Sequence, residues 1–149
     1  MNLSKILRNN IFENKFKFYL ITFLLGILLR SIIAIYYGDT EIENEWKVLV
    51  YNLYKFNSFS MLEFDNLFVP NLWMPPIYGY FIYLHALIFG LEEKLAASVI
   101  VSQIIISSFT PIIFFKILLN FFKKEISILG TFVFCVFPII VFSASQISS

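Results

Sequence analysis

The stretch IYGYFIYLHALIFGL, residues 77 to 91, decides how this chain is arranged. It follows Pro75-Pro76, a pair suited to opening a helix, and it stops at Glu92-Glu93-Lys94. A helix needs about 20 apolar residues to cross the roughly 30 Å hydrocarbon core of a bilayer, so this run is short for a span and suits an interfacial or re-entrant helix. If it crosses, Lys123-Lys124 falls outside and Glu92-Glu93 inside, both against the cytoplasmic bias of basic residues. If it does not cross, Lys116, Lys123 and Lys124 are cytoplasmic, and Asp39, Glu41, Glu43, Glu45, Glu63, Asp65, Glu92 and Glu93 are all external. The second arrangement is the expectation. It describes an all-α polytopic membrane protein with three transmembrane helices, four being the alternative, and interfacial helices in a large external loop from 38 to 94.

Composition supports the membrane class. The 149 residues are 59% hydrophobic and 14% charged, with a mean hydropathy of +0.81. Soluble domains sit near 45–50% apolar and about 25% charged. The 19 phenylalanines favour lipid contact. The net charge of +1 informs less than its distribution, because eight of the ten acids lie between residues 38 and 94. A single cysteine, Cys135, lies in an apolar run and so offers neither a disulfide nor a thiolate metal site. The one histidine, His85, has no second ligand nearby, so spacing supports structural packing over metal binding. No basic patch mixes with aromatics in the manner of a nucleic-acid surface.

Outward from the central stretch, three apolar runs read as spans, at 18–37, 95–122 and 126–145. Lys5, Arg8, Lys15 and Lys17 precede the first without a small-residue cleavage site. The N-terminus is therefore expected in the cytoplasm, in an inner or plasma membrane. Arg30 is the only charge in the first span, which closes on Tyr36-Tyr37. Pro111 and Pro138 are read as kinks in the second and third. In the loop, Ile42, Trp46, Leu49, Leu53 and Phe56 recur at helical steps, predicting an amphipathic helix over about 41–56 that lies flat in the outer interface. Thr40 and Glu43 have the spacing of a capping box. Residues 57 to 72 read as loop, with Pro70 as a stop. No linker divides the chain, so residues 1–149 are taken as a single membrane module.

Asp39, Glu43 and Glu45 are the candidate chemistry. A carboxylate serving as general base must lie close to its acceptor and be poised by its surroundings, and a low-dielectric interface raises carboxylate basicity. A guanidinium within a span is costly and marks a functional site by default, so Arg30 joins them, with a lipid phosphate or Asp39 as its partner or its head snorkelling to the outer surface. Tyr78, Tyr80 and Tyr83 form an interfacial aromatic belt.

In order and spacing these features resemble the N-terminal module of the GT-C superfamily, the polytopic glycosyltransferases that use polyprenyl-phosphate-linked sugars. The likeness is to the dolichyl-phosphate-mannose–protein mannosyltransferase and lipid A aminoarabinose transferase group. Leu29-Arg30 matches an ending of the family's first span, and Glu43-Asn44-Glu45-Trp46 stands where its acidic motif would be. Pro75-Pro76-Ile77-Tyr78 matches its proline-tyrosine element, and Phe137-Pro138 with the serines after it matches the third span. Asn44 occupies the place of the family's catalytic aspartate, so the base role falls to Glu45, Glu43 or Asp39, or is absent. The likeness covers the first third of such an enzyme, so the chain is expected to be the front part of one. The resemblance implies an inverting transfer of sugar from a polyprenyl-phosphate donor to an acceptor on the external face. It makes Arg30, Tyr78 and Trp73 the candidate substrate contacts, with no metal site or cofactor assigned. The alternative is a non-catalytic membrane protein that binds partner helices or lipid through its amphipathic helix.

Overall fold

Small and polar residues gather on the inner faces of two of the apolar helices, and this sets the architecture of one part of the chain. The structure, a computed structural model, describes residues 15–42, 44–64, 67–70, 74–92 and 94–147. Its elements in chain order are α1 (Lys15–Tyr37), α2 (Asn44–Phe56), β1 (Ser60–Phe64), β2 (Leu67–Pro70), α3 (Pro76–Phe89), α4 (Lys94–Ser108), α5 (Thr110–Leu118), α6 (Lys124–Val136) and α7 (Pro138–Ser143). The protein is mostly helical, in line with the all-α expectation. The described residues form two compact units, one of 15–37 with 103–145 and the other of 38–102 with 146 and 147.

In the first unit α1 packs on α5, α6 and α7. It buries Phe18, Thr22, Gly26 and Arg30, one residue per turn, while Leu20, Leu24, Leu28, Ile32 and Ile35 are exposed. This inverts the pattern of a helix on a soluble protein. Helix α6 repeats it, burying Ser127, Thr131 and Cys135. The stripes meet where the Cys135 thiol donates to the Thr22 carbonyl at 4.0 Å. The hydroxyls of Thr22, Ser108, Ser127 and Thr131 each donate to the carbonyl four residues back, so their donors stay satisfied away from water. Rings close the remaining gaps, with Phe18–Phe115 and Phe23–Phe109 centroids 4.5 Å apart and Phe114–Phe134 at 4.4 Å.

Two helical stretches, Lys15–Tyr37 of 23 residues and Lys94–Leu118 of 25, are long and apolar enough to cross a membrane. The second is interrupted only at Phe109. Pro111 has no N–H to give the Ser107 carbonyl, and the Thr110 hydroxyl fills that place at 2.6 Å. The run expected to span at 126–145 is broken more sharply. Phe137, before Pro138, is extended at φ −63°, ψ 120°, leaving helices of 13 and 6 residues.

The second unit has a conventional core. Helix α2 begins at Asn44, later than its spacing predicts, so Thr40 precedes the helix and does not cap it; Glu43 lies outside the described residues. Ile42, Trp46, Leu49, Val50 and Leu53 are buried, whereas Phe56 is exposed. That face packs on α3 and β1, not on a bilayer. Helix α2 ends where Asn57 takes a left-handed conformation at φ 54° and donates its amide to the Leu53 carbonyl at 3.1 Å. The stretch read as loop contains an antiparallel hairpin pairing Leu62 with Val69 and Phe64 with Leu67. The Asn52 amide anchors it by donating to the Ser60 carbonyl at 2.9 Å. Two apolar runs flanking Asp65-Asn66 were the signal for it in the sequence.

Helix α3 has 14 residues, about 21 Å at 1.5 Å per residue, short of a bilayer core. It lays Gly79, Ile82 and Ala86 inward. Gly79 is there for contact: a Cβ would sit 2.6 Å from Phe59 Cε2 and 3.1 Å from Leu49 Cδ2. Phe59 in turn stacks on Tyr80, centroids 5.5 Å apart and rings within 6° of parallel. Gly79→Ala therefore displaces the Phe59 ring and lowers stability by about 1–3 kcal/mol, read as an earlier thermal transition in detergent micelles. The same substitution in a Phe59→Ala background should cost clearly less, and equal losses in both would refute the contact as the cause.

Candidate functional site

The candidate acids do not share one environment. Asp39 follows α1 and is half-buried. Its Oδ2 accepts the backbone amide of Ile147 at 2.6 Å, a charge-assisted bond that ties the start of the loop to the residues after α7. Glu45 stands in the first turn of α2, where the helix dipole favours an anion, and is exposed. Glu43 and Trp73 fall outside the described residues. Tyr78, in the first turn of α3, meets Trp46 edge to face at 4.9 Å, so α2 and α3 are joined where the acidic segment meets the proline-tyrosine element.

Arg30 is fully buried, with 0% of its surface exposed, so it does not snorkel. Its Nη1 donates to the Gly26 carbonyl at 3.2 Å, and Cys135 lies beside it. Nε and Nη2 have no hydrogen-bond partner. The absent side chain of Gly26 makes the space: a Cβ there would come within 3.2 Å of Nη1 and 3.3 Å of Ser108 Oγ.

Two clefts complete the picture, one in each unit. The first unit has an apolar cleft of about 590 Å³ where α6 gives way to α7, lined by Leu29, Ile33, Tyr37, Pro138, Ile139 and Phe142 among others. The second unit has a smaller one of about 260 Å³, between the start of α2 and the turn from α3 into α4. Ile42, Val50, Leu95 and Ala96 floor it, and Glu41, Lys47, Tyr51 and Glu92 stand around it. Neither Asp39 nor Glu45 lines it. Spacing does not reveal this charged group, because Glu92 reaches it only through the α3–α4 turn.

His85 sits between Phe81, centroid 4.9 Å away, and Phe89 at 6.3 Å. Its Nδ1 is buried without a partner, and burial pulls the imidazole below its ordinary value of 6.5. Among the described residues no group of three His, Cys, Asp or Glu side chains could hold a metal ion. No protein-family model, curated protein or solved structure matches this chain.

Arg30 and His85 each generate a prediction. Arg30→Met keeps the length of the side chain and removes a charge that lacks two of its partners. It should leave stability unchanged or raise it by up to about 4 kcal/mol, whereas a fall beyond about 1 kcal/mol would mean the guanidinium is held by bonds stronger than its burial is costly. For His85 the unfolded chain takes up a proton first as pH falls through 6.5, because the folded value is the lower one. Stability should therefore decline on acidification from about pH 7 towards 5. His85→Gln should flatten that part of the profile, and an unchanged slope would remove His85 from the account.

Proposed function

We propose that the chain is the N-terminal membrane module of a glycosyltransferase that moves a sugar from a polyprenyl-phosphate donor to an acceptor on the external face. The observation that carries this reading is the apolar cleft beside the Phe137-Pro138 break. Interrupted helices in membrane proteins line cavities that receive a ligand, and one walled by aliphatic and aromatic side chains suits a prenyl chain. Of the two candidate acids among the described residues, Glu45 is exposed at the start of α2 and is assigned the acceptor's proton, since Asp39 is engaged by the Ile147 amide.

Three spans, at 18–37, 95–122 and 126–145, underlie this proposal. The outward apolar faces of α1, α4, α5 and α6 need hydrocarbon around them. The Asp39–Ile147 bond supports an even number of crossings between those residues. Two crossings satisfy it, one by α4 with α5 and one by α6 with α7, and α3 then stays on the outer side. With Lys123 and Lys124 cytoplasmic, the N-terminus is cytoplasmic and the acidic segment external.

A second reading, a non-catalytic membrane protein that binds partner helices or lipid, is favoured by the second unit's cleft, which neither Asp39 nor Glu45 lines. The two are separated in membranes carrying the full-length protein. Glu45→Gln should lower sugar transfer from polyprenyl phosphate by about a hundredfold or more, the usual contribution of a general base, with membrane insertion unchanged. Transfer at the wild-type rate would refute the enzyme reading. In a Cys135→Ala background a cysteine at Glu92 should label from outside and one at Lys123 should be protected; the opposite pattern would mean that α3 crosses.

A further inference from the structure

We propose that the cleft between the start of α2 and the α3–α4 turn binds the headgroup of a zwitterionic phospholipid bearing a primary ammonium, a phosphatidylethanolamine. This goes beyond the transferase reading and does not rest on it. The floor is apolar and sealed: Ile42, Val50, Leu95 and Ala96 are all buried. Around it, among the described residues, stand two carboxylates, Glu41 and Glu92, and one ammonium, Lys47, all exposed. Among the described residues none of these three charges pairs with another, although all line one space of about 260 Å³.

The charge balance selects the ligand. Among the described residues two acids stand against one base, which disfavours a lone phosphate and equally leaves a lone amine facing Lys47. A molecule with an ammonium and a phosphate a few bonds apart answers both signs, the ammonium to Glu41 and Glu92 and the phosphate to Lys47. A primary ammonium donates hydrogen bonds to carboxylates, which a quaternary ammonium does not. Position points to a lipid as the source. Leu95 and Ala96 belong to the first turn of α4, which opens the 25-residue stretch long enough to cross a membrane. The cleft therefore lies at the end of a membrane-length stretch, where a span meets the headgroup layer.

The test uses the purified chain in mixed micelles holding equal amounts of phosphatidylethanolamine, phosphatidylcholine and phosphatidylglycerol with matched acyl chains, with retained lipid counted by native mass spectrometry. The ethanolamine lipid should be retained about two- to fivefold over the choline lipid, the range expected for solvent-exposed charge pairs. Glu41→Gln with Glu92→Gln should abolish that preference, and Lys47→Gln should lower retention of both zwitterionic lipids. Should the double variant fail to fold, the wild-type protein with mono- and dimethylated ethanolamine lipids gives the same reading, as a stepwise loss with each methyl. Equal retention of ethanolamine and choline lipids, or stronger retention of the glycerol lipid, would overturn the proposal.

Discussion

Arg30 lies inside a bundle whose outer surface is hydrocarbon, and the first unit is arranged around that constraint. Where a surface of Leu, Ile and Phe side chains faces hydrocarbon, polar groups have no solvent to turn to and are satisfied inward or within their own helix. Thr22, Ser108, Ser127 and Thr131 use the carbonyl one turn back. The same small side chains let α1 and α6 approach closely along Thr22–Gly26 and Ser127–Thr131–Cys135, the contact that holds helices together when apolar burial offers no driving force. Arg30 is the exception. It fills the end of the small-residue stripe yet bonds through Nη1 alone, a cost retained in the fold without visible structural return.

The second unit obeys the opposite rule. Its helices bury apolar faces against one another, with Trp46 on Tyr78 and Phe59 on Tyr80 as joints. Gly79 sets how closely the Phe59 ring can lie on α3, and Asn52 fixes the hairpin below α2. This small core holds the charged residues in place. Glu45 stands at the start of α2, while Glu41, Lys47 and Glu92 surround a cleft whose floor is part of that core.

The elements themselves were legible because length and period are local properties. The first apolar run, the helical steps of Trp46, Leu49 and Leu53, and the shortness of the run after Pro75-Pro76 each predict what forms. The partner of an amphipathic face is a different matter. Leu49 and Leu53 announce a buried stripe, but only α3 and β1 show that protein covers it. The hairpin was missed because Glu63, Asp65 and Asn66 made its sequence look solvated, although apolar runs flank its turn. Pro138 read as a bend and produced a break, since the extended Phe137 before it ends the helix outright. At the site, Arg30 was visible as a charge out of place, but its burial was not. A buried and a snorkelling arginine have the same sequence and differ only in what neighbouring helices cover.

By itself the sequence determined a helical, strongly apolar chain with one dense charged segment, because composition and hydrophobic period are carried by single residues and their near neighbours. The tertiary structure alone decided that Asp39 meets the amide of Ile147, that Arg30 sits beside Cys135, and that Glu41, Lys47 and Glu92 surround one cleft. The first two join residues about a hundred positions apart, and the third depends on a turn between two helices. Such pairings are set by helix packing and chain return, and no local pattern encodes them.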